Sequence, residues 1–202
     1  MTILTLPLWL LAYLSGSLPF GLWITRLIKR VDLRDGGSGH ITTTNTIRQA
    51  GWLPGALVLV LDVAKGFLPV YLALRLEQPA WAVAIVAALI VAGHCWPMFA
   101  QFRGGMGLAV TGGAFLAISW QGFLVGIGIL IFFVLVIRHA ARGTFVASLV
   151  IPPVIWLLFS TSTILWVAIA TSIVVAVRFT IDWNRKYREL WLDRERRKTG
   201  DG

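Results

Sequence analysis

The sequence predicts an all-α integral membrane protein with seven short transmembrane helices. Of its 202 residues, 57% are hydrophobic and only 13% are charged, and its mean hydropathy is +0.80. Average soluble domains contain about 45–50% apolar and about 25% charged residues, so this chain has too few polar side chains to cover a water-exposed globule. Apolar runs long enough to cross a hydrocarbon core recur along the chain, and basic residues separate them.

The cysteine count and the charge exclude several other classes of protein. One cysteine, Cys95, cannot form an intrachain disulfide framework or a cysteine cage for a metal, and we expect it to be a small buried side chain. The net charge of +9 and the pI near 10.8 would suit a nucleic-acid binder. In a membrane protein, however, clustered Lys and Arg mark cytoplasmic loops and contacts with anionic lipid. We therefore predict membrane lipid, and not nucleic acid, as a partner.

Six apolar stretches supply the predicted spans. A hydrocarbon core needs about 20 mostly apolar residues per helix, and the first stretch lacks the features of a removed signal peptide. The fourth stretch has about 30 residues without a charge, enough for one steeply tilted helix or for two short helices that turn near Ser119 and Gln121. The stretches are residues 2–28, 52–76, 80–100, 108–137, 144–159 and 164–177.

The distribution of basic residues favours two crossings by residues 108–137. With two crossings, the basic residues of segments 29–48 and 138–142, Arg103 and those of the C-terminal tail all fall on one face, and the opposite loops carry only Arg75. Short loops rich in Lys and Arg stay in the cytoplasm. We therefore predict seven spans, with the N-terminus outside and the C-terminus in the cytoplasm.

The chain divides into two predicted segments. Residues 1–181 form the seven-helix transmembrane domain, and residues 182–202 form a basic tail. In the tail, Trp183, Tyr187 and Trp191 recur at helical spacing with cations between them. This pattern is typical of an amphipathic helix that lies on the anionic cytoplasmic surface of a membrane.

The first cytoplasmic loop combines glycines with side chains that bind phosphate. Gly37 and Gly39 flank Ser38 and permit a left-handed backbone, which can turn successive N–H groups into one concavity. Several threonines follow, and then Asn45 and Arg48, whose amide and guanidinium donors suit phosphate oxygens. Two interpretations remain open: an anion-binding loop, and a polar loop that only turns the chain and caps a helix.

A second glycine-rich loop follows the third span. Pro97 interrupts the helical hydrogen bonding there, and irregular backbone at membrane depth is tolerated only where protein or a water-filled cavity satisfies it. His94 lies one turn before this break, either as a cap for a carbonyl group or as a site residue. Arg103 stands beside a run of glycines and forms a second candidate anion site. The glycines are Gly104, Gly105 and Gly107.

Asp62 and Lys65 are charged residues inside the second span. Charges in a span are costly and tend to face the interior of the bundle in pairs. A spacing of i, i+3 places both residues on one face of the helix. We predict an internal ion pair that fixes helix packing, with direct substrate contact as the alternative.

In order and spacing, these motifs resemble those of the bacterial acyl-phosphate:glycerol-3-phosphate acyltransferases. The family's first-loop pattern, G-S-G-N-x-G-A-T-N-x-x-R, is matched at Gly37, Ser38, Gly39, Thr44, Asn45 and Arg48. Its D-x-x-K-G pattern is matched from Asp62 to Gly66. Its second-loop pattern, G-H-x-x-P-x-F-x-x-F-K-G-G-K-G, is matched at Gly93, His94, Pro97, Phe99, Phe102, Gly104, Gly105 and Gly107, with Arg103 for the first lysine.

The resemblance implies an enzyme of phospholipid synthesis in the bacterial inner membrane, with its active loops on the cytoplasmic face. It would transfer a fatty acyl group from acyl phosphate to the 1-hydroxyl of glycerol 3-phosphate, giving lysophosphatidate. Because an acyl phosphate is already activated, no metal, organic cofactor or covalent enzyme intermediate is expected. The resemblance gives catalytic roles to Ser38 and Asn45. It assigns substrate binding to Gly37, Gly39, Thr44, Arg48, His94, Arg103, Gly104, Gly105 and Gly107.

Several positions depart from the family patterns. In the first loop these are His40, Thr42 and Thr43. Met106 stands where the second loop has its second lysine. The family's last motif, H-x-E-N, aligns without gaps so that Phe179 occupies the histidine position and Asp182 the asparagine position. Two alternatives therefore remain: a non-catalytic or altered-substrate paralogue, and a small anion transporter built on the same helices.

Overall fold

A computed structural model describes residues 5–159 and 162–184, and its regular elements in those ranges are all helical. Two loops each contain a short 3-10 turn, at Leu33–Asp35 and Met98–Ala100. The α-helices are α1 (Thr5–Gly16), α2 (Phe20–Lys29), α3 (Thr43–Ala50), α4 (Trp52–Arg75), α5 (Ala80–Cys95), α6 (Leu108–Ile118), α7 (Trp120–Ile137), α8 (Ala140–Leu158) and α9 (Ser162–Ile181).

Six segments in the described ranges are long and apolar enough to cross a membrane. They are Thr5–Lys29, Trp52–Arg75, Ala80–Ala100, Trp120–Ile137, Ala140–Leu158 and Ser162–Ile181. Helix α6 is apolar but has only 11 residues, and at 1.5 Å per residue it is shorter than the roughly 30 Å of a hydrocarbon core. The described part of the chain therefore contains six candidate spans and one short apolar helix, and the count of seven spans stays a prediction.

The long apolar stretch 108–137 divides where the sequence predicts a turn. Ser119 has an extended backbone and ends α6. Its hydroxyl oxygen accepts a hydrogen bond from the N–H of Gly122 at 3.1 Å and so caps the start of α7. The prediction of two helices in this stretch is confirmed.

The first apolar stretch forms two helices where one was expected. Helix α1 ends at Gly16 and α2 begins at Phe20, after Pro19. The break leaves the carbonyl oxygen of Leu18 outside the helical pattern, and Nζ of Lys65 donates to it at 2.9 Å. A charged side chain of α4 thus satisfies backbone inside the bundle, where water cannot.

Glycines allow the closest helix contacts. A Cβ atom on Gly66 would collide with the carbonyl oxygen of Val110, and one on Gly113 would collide with that of Val63. Helices α4 and α6 therefore pack backbone against backbone, as small residues permit in membrane proteins. On the other side of the bundle, Gly16 of α1 makes an equally close approach to Ile90 of α5.

The two glycine-rich loops meet at one end of the bundle. The N–H of Ile41, in the loop before α3, donates to the carbonyl oxygen of Gly104, in the loop before α6, at 3.2 Å. The end of α9 and the start of α8 lie at the same end, where the ring of Trp183 packs edge-on against Phe145. The predicted amphipathic tail beyond Asn184 lies outside the described residues.

Candidate active site

Asn45 organises the first loop from the inside. Its side chain is completely buried. Its amide nitrogen donates to the carbonyl oxygens of Leu33, Gly36 and His40 at 3.0–3.2 Å. Its amide oxygen accepts from the backbone N–H of Ser38 at 3.3 Å. Asn45 therefore holds in place the loop that carries Ser38.

The backbone N–H groups around Ser38 bond within the loop. The N–H of Gly39 donates to the carbonyl oxygen of Gly36 at 3.0 Å, and the N–H of His40 donates to Oγ of Ser38 at 3.4 Å. The N–H groups of Ser38, Gly39 and His40 are therefore used within the protein, which favours the turn over the anion-binding loop, the two interpretations left open for this segment. The glycines instead make the tight turn possible, with φ of +57° at Gly37 and +68° at Gly39.

Asp32 joins the first loop to the second through an arginine. Its carboxylate accepts from the N–H of Arg34 at 2.9 Å and pairs with the guanidinium groups of Arg34 and Arg26. The hydrogen bonds from Arg34 hold the pKa of Asp32 well below its usual range, and Asp32 in turn raises the pKa of Arg34. Arg34 also donates to the carbonyl oxygen of Ala100 at 3.1 Å, so one ion pair ties both loops together.

The second loop packs its glycines against His94. The N–H of Gly105 donates to the carbonyl oxygen of His94 at 3.0 Å. A Cβ atom on Gly105 would collide with the imidazole of His94, and one on Gly104 would collide with the carbonyl oxygen of the same residue. These glycines are required for close approach, and the N–H of Gly105 serves the protein backbone where a phosphate contact was expected.

Asp62 and Lys65 form the predicted ion pair. Nζ of Lys65 lies 2.9 Å from Oδ1 of Asp62, and the two side chains are 5% and 3% exposed. Nδ1 of His94 lies 3.7 Å from the same carboxylate oxygen. The contact between Asp62 and His94 thus links α4 to α5. Asp62 also borders the cavity described below.

A second charged cluster, which the sequence analysis did not predict, lies at the end of α9. Nε of Arg178 donates to the carbonyl oxygen of Gly105 at 2.9 Å. A terminal nitrogen of Arg178 lies 3.5 Å from Oδ2 of Asp182, and Nε2 of His40 lies 3.0 Å from the same oxygen. The local signal for this cluster is the i, i+4 spacing of Arg178 and Asp182, which places them on one helix face.

These elements surround a cavity of about 820 Å³. Oγ1 of Thr43 and Oγ1 of Thr111 both lack a hydrogen-bond partner among the described residues, and both threonines line the cavity. Buried hydroxyl groups are normally hydrogen-bonded, so the part of the cavity beside Thr43 and Thr111 is suited to a polar ligand. We call this part the polar end of the cavity. The polar lining residues here are Ser38, His40, Thr42, Thr43, Thr44, Arg48, Asp62, His94 and Thr111.

The rest of the cavity is mainly apolar and runs along α6, α7, α8 and α9, with Thr144, Ser148, Thr171 and Ser172 as its polar lining residues. Phe115, Phe123 and Ile151 are among the residues that line it. Some lining residues are also exposed on the outer surface of the protein, so the cavity opens sideways between helices. These are Leu59, Ile127, Ile131 and Leu135.

The predicted site residues divide into two groups. Ser38, Thr44, Arg48, His94 and Gly107 line the cavity. Outside its lining are Gly37, Gly39, Asn45, Arg103, Gly104 and Gly105, of which Arg103 is exposed to the surroundings. Within residues 5–159 and 162–184, no group of three or more His, Cys, Asp or Glu side chains is placed to hold a metal ion.

Comparison with known proteins assigns the chain to a family. Residues 6–188 match the family model described as glycerol-3-phosphate acyltransferase. The chain belongs to the glycerol-3-phosphate acyltransferase family. This confirms the resemblance in the loop motifs, and with it the expectation of an acyltransferase.

Curated members of the glycerol-3-phosphate acyltransferase family align with most of the chain. The glycerol-3-phosphate acyltransferase of Desulforamulus reducens is 40% identical over 146 residues, which cover 72% of each protein. That of Myxococcus xanthus is 41% identical over 146 residues, covering 72% of this chain and 76% of the relative.

Solved structures of a glycerol-3-phosphate acyltransferase share the fold. The glycerol 3-phosphate form of PlsY, described as an integral membrane enzyme, superimposes with a TM-score of 0.78 at 31% identity and covers 90% of both chains. The lysophosphatidic acid form of PlsY gives a TM-score of 0.76 at 29% identity with the same coverage. The predicted class, an all-helical integral membrane protein, is confirmed.

Proposed function

We propose that this chain transfers a fatty acyl group from acyl phosphate to the 1-hydroxyl of glycerol 3-phosphate, giving lysophosphatidate and inorganic phosphate. The observation that carries this proposal is the single cavity with two chemically different parts. Its polar end suits two phosphate-bearing groups, and its apolar part suits a hydrocarbon chain. A family match over residues 6–188 supports the same reaction.

We assign the phosphate of glycerol 3-phosphate to Arg48 and the start of α3. Arg48 lines the polar end, and a guanidinium group offers paired donors to phosphate oxygens. The first-turn N–H groups of an α-helix have no partner within the helix and favour anions. In α3 the N–H of Asn45 already donates to Oγ1 of Thr42 at 3.2 Å, so we assign the phosphate to the N–H groups of Thr43 and Thr44. Thr43 and Thr44 supply hydroxyl groups at the same place.

The acyl phosphate group lies, in this proposal, where the polar and apolar parts meet. His94, Gly107 and Thr111 line the cavity there. Arg103 is exposed and outside the lining, so we do not place the acyl phosphate on it. The acyl chain extends along α6 and α7.

Ser38 is the residue that we place at the reacting carbonyl. In the reaction, the 1-hydroxyl oxygen forms a bond to the carbonyl carbon, and the bond from that carbon to the phosphate oxygen breaks. The departing phosphate takes the electron pair of the broken bond, and in the overall balance it takes the hydroxyl proton. The hydroxyl group of Ser38 can donate to the oxyanion that develops in between. Asn45 acts through Ser38, since it bonds to the loop and not to the cavity.

The proposal includes seven crossings, with the site on the cytoplasmic face of a bacterial inner membrane. Loops rich in basic residues meet at the polar end of the cavity, which suits the cytoplasmic side. The start of α6 and the end of α7 both border the cavity, which supports a path in which residues 108–137 leave and return to one face. We retain residues 1–181 as the transmembrane domain and residues 182–202 as its basic tail.

The test is phosphate release by the purified protein from acyl phosphate, with and without glycerol 3-phosphate. We expect release that depends on the acceptor and a stoichiometric yield of lysophosphatidate. Ser38→Ala is expected to lower kcat more than it raises KM, because the lost contact acts at the reacting carbonyl. Absence of acceptor-dependent release from folded protein would favour the non-catalytic paralogue.

A further inference from the structure

Two residues that depart from the family motifs contact each other. Nε2 of His40, in the first loop, lies 3.0 Å from Oδ2 of Asp182, which follows α9. The two side chains are only 6% and 8% exposed. His40 stands at the asparagine of the first motif, and Asp182 at the asparagine of the last. The two residues that depart from the family motifs are therefore far apart in the sequence but in contact in the structure.

Asp182 also contacts an arginine of its own helix end. A terminal nitrogen of Arg178 lies 3.5 Å from Oδ2 of Asp182, and Nε of Arg178 donates to Gly105 at 2.9 Å. A carboxylate offers several lone pairs and can accept from an imidazole N–H and a guanidinium at once. The side chains of His40 and Arg178 both approach the same oxygen, Oδ2, of Asp182. The negative charge of the carboxylate, which an asparagine would lack, favours the nearby guanidinium group.

His40 is in turn connected to Ser38. The backbone N–H of His40 donates to Oγ of Ser38 at 3.4 Å, and the N–H of Ser38 donates to the amide oxygen of Asn45 at 3.3 Å. Asn45 bonds to the backbone of both Ser38 and His40, and Asp182 adds a contact to the side chain of His40 from α9. His40 thus connects α9 to the backbone N–H that donates to the serine hydroxyl oxygen.

We propose that His40 and Asp182 form a positioning pair that fixes the hydroxyl group of Ser38 relative to the second loop and α9. The assignment rests on the proposed function, since it concerns the placement of Ser38 for that reaction. It gives this chain a specific arrangement: a histidine supplied by the first loop is paired with an acid that follows the last helix. Neither residue needs to touch the substrate for this role.

The test compares His40→Ala, His40→Gln, His40→Asn, Asp182→Asn and the double variant His40→Asn/Asp182→Asn in full-length protein. A shift of the reacting group by about 1 Å can cost about a hundredfold in rate, so we expect His40→Ala to lower kcat by about 10- to 100-fold. We expect KM for glycerol 3-phosphate to change by less than about threefold, since Arg48 is untouched. His40→Gln should restore most of kcat, because its side-chain nitrogen can donate to Asp182 in place of Nε2.

The double variant tests whether the two residues act as one unit. Each single change to asparagine leaves a buried partner poorly matched, whereas two amides can bond to each other. We expect the loss of kcat in the double variant to be smaller, by about tenfold, than the product of the two single losses. His139→Asn is the matched control, because His139 caps α8 and is not itself a lining residue of the cavity, and it should turn over like the wild type.

If the wild type turns over normally, any of three results would overturn the proposal. These are an unchanged kcat in His40→Ala, equal losses of kcat in His40→Ala and His40→Gln, and a loss of kcat in the double variant that equals the product of the two single losses. A lower melting temperature with unchanged kcat in the folded fraction would show a structural tie only, which also contradicts it. Failure of the proposed function is distinguished from all of these, because it would appear in the wild-type assay.

Discussion

In the proposed reaction, Arg48 is the residue that we assign to the phosphate of glycerol 3-phosphate. It lines the polar end of the cavity from α3. Removing a charge-assisted hydrogen bond costs about 1.5–3 kcal/mol, so we expect Arg48→Ala to lower kcat/KM for glycerol 3-phosphate by about tenfold to a hundredfold. The measurement is steady-state kinetics with the acceptor varied at saturating donor.

The control for Arg48 is Arg75, the last residue of α4. Arg75 lies over the ring of Tyr71 and is not part of the cavity lining, so Arg75→Ala should keep the wild-type kinetics. Arg103→Ala is informative as well. Its exposed position predicts less than about a threefold loss, and a loss equal to that of Arg48→Ala would contradict our placement of both phosphates.

Met106 occupies the position of a family lysine and yet belongs to a buried apolar cluster that includes Val91 and Val110. Its side chain is 9% exposed and borders the cavity. We expect Met106→Lys to raise kcat/KM by about tenfold, because the cavity gives an ammonium group access to a phosphate oxygen. Met106→Leu, which changes shape without charge, is the control. Slower turnover in Met106→Lys would show that the site is arranged around an apolar side chain here.

At the residue scale, residue type and spacing singled out Ser38 and Arg48, and the structure places both in the lining of the cavity. Of the two interpretations left open for the first loop, an anion-binding loop and a turn, the hydrogen bonds of Gly39 and His40 within the loop favour the turn. The pairing of His40 with Asp182 could not be predicted, because their separation in sequence carries no signal of contact.

At the scale of elements, the turn at Leu33–Asp35 depends on an ionised carboxylate. Asp32 caps this turn and pairs with Arg34. Because its pKa is lower in the folded state than in the unfolded chain, its stabilising contribution is complete above the unfolded value near 3.9 and is lost as the pH falls toward the folded value. We therefore expect the wild type to lose thermal stability below about pH 4.

The measurement is the melting temperature of wild type and Asp32→Asn in detergent from pH 3 to pH 7. We expect the wild type to exceed the variant at neutral pH and the difference to shrink as the pH falls below about 4. Asp35→Asn, at an exposed carboxylate of the same turn, controls for the general effect of removing a negative charge. A constant difference between wild type and Asp32→Asn would contradict the assignment of the effect to this carboxylate.

The contact between α4 and α6 depends on two glycines. Gly113→Ala would place a methyl group against the carbonyl oxygen of Val63, so we expect it to separate the helices and destabilise the protein by about 1–3 kcal/mol. Gly128→Ala is the matched control, because a Cβ atom there meets nothing within 4 Å. Melting temperatures of both variants check this, and equal values would show that the contact can relax without cost.

The sequence predicted most helices, and its errors lie where helices are interrupted. Hydropathy alone joined α1 and α2, because Ser17 and Pro19 break the helix without interrupting the apolar run. The turn at Ser119 was predicted because a polar residue stands between two apolar runs. Proline was a poor guide elsewhere, since Pro69, Pro152 and Pro153 lie inside α4 and α8 and neighbouring helices can satisfy the backbone that they free.

At the scale of the whole molecule, the number of crossings is decided by the α6–α7 hairpin. In a Cys95→Ala background, single cysteines at Arg103 and Arg138 should react with an impermeant thiol reagent only from the cytoplasmic side. Cysteines at Glu77 and Gln121 should react only from the outside. Reaction of Arg103→Cys and Arg138→Cys from opposite sides would mean a single crossing by residues 108–137 and would remove the seven-span proposal.

The sideways opening of the cavity affects whether the protein can select acyl chains by their length. In water, each methylene group buried gains about 0.8 kcal/mol, which is enough to rank chains of different length. A chain that enters past Ile127 and Ile131 comes from the bilayer, and moving it from one hydrocarbon environment to another gains very little for each added methylene. Selection of acyl chains by length needs a cavity with a closed end that limits the chain, and a cavity that is open to lipid has no such end. The distribution of chain lengths in the product should therefore follow the supply of acyl phosphates in the membrane.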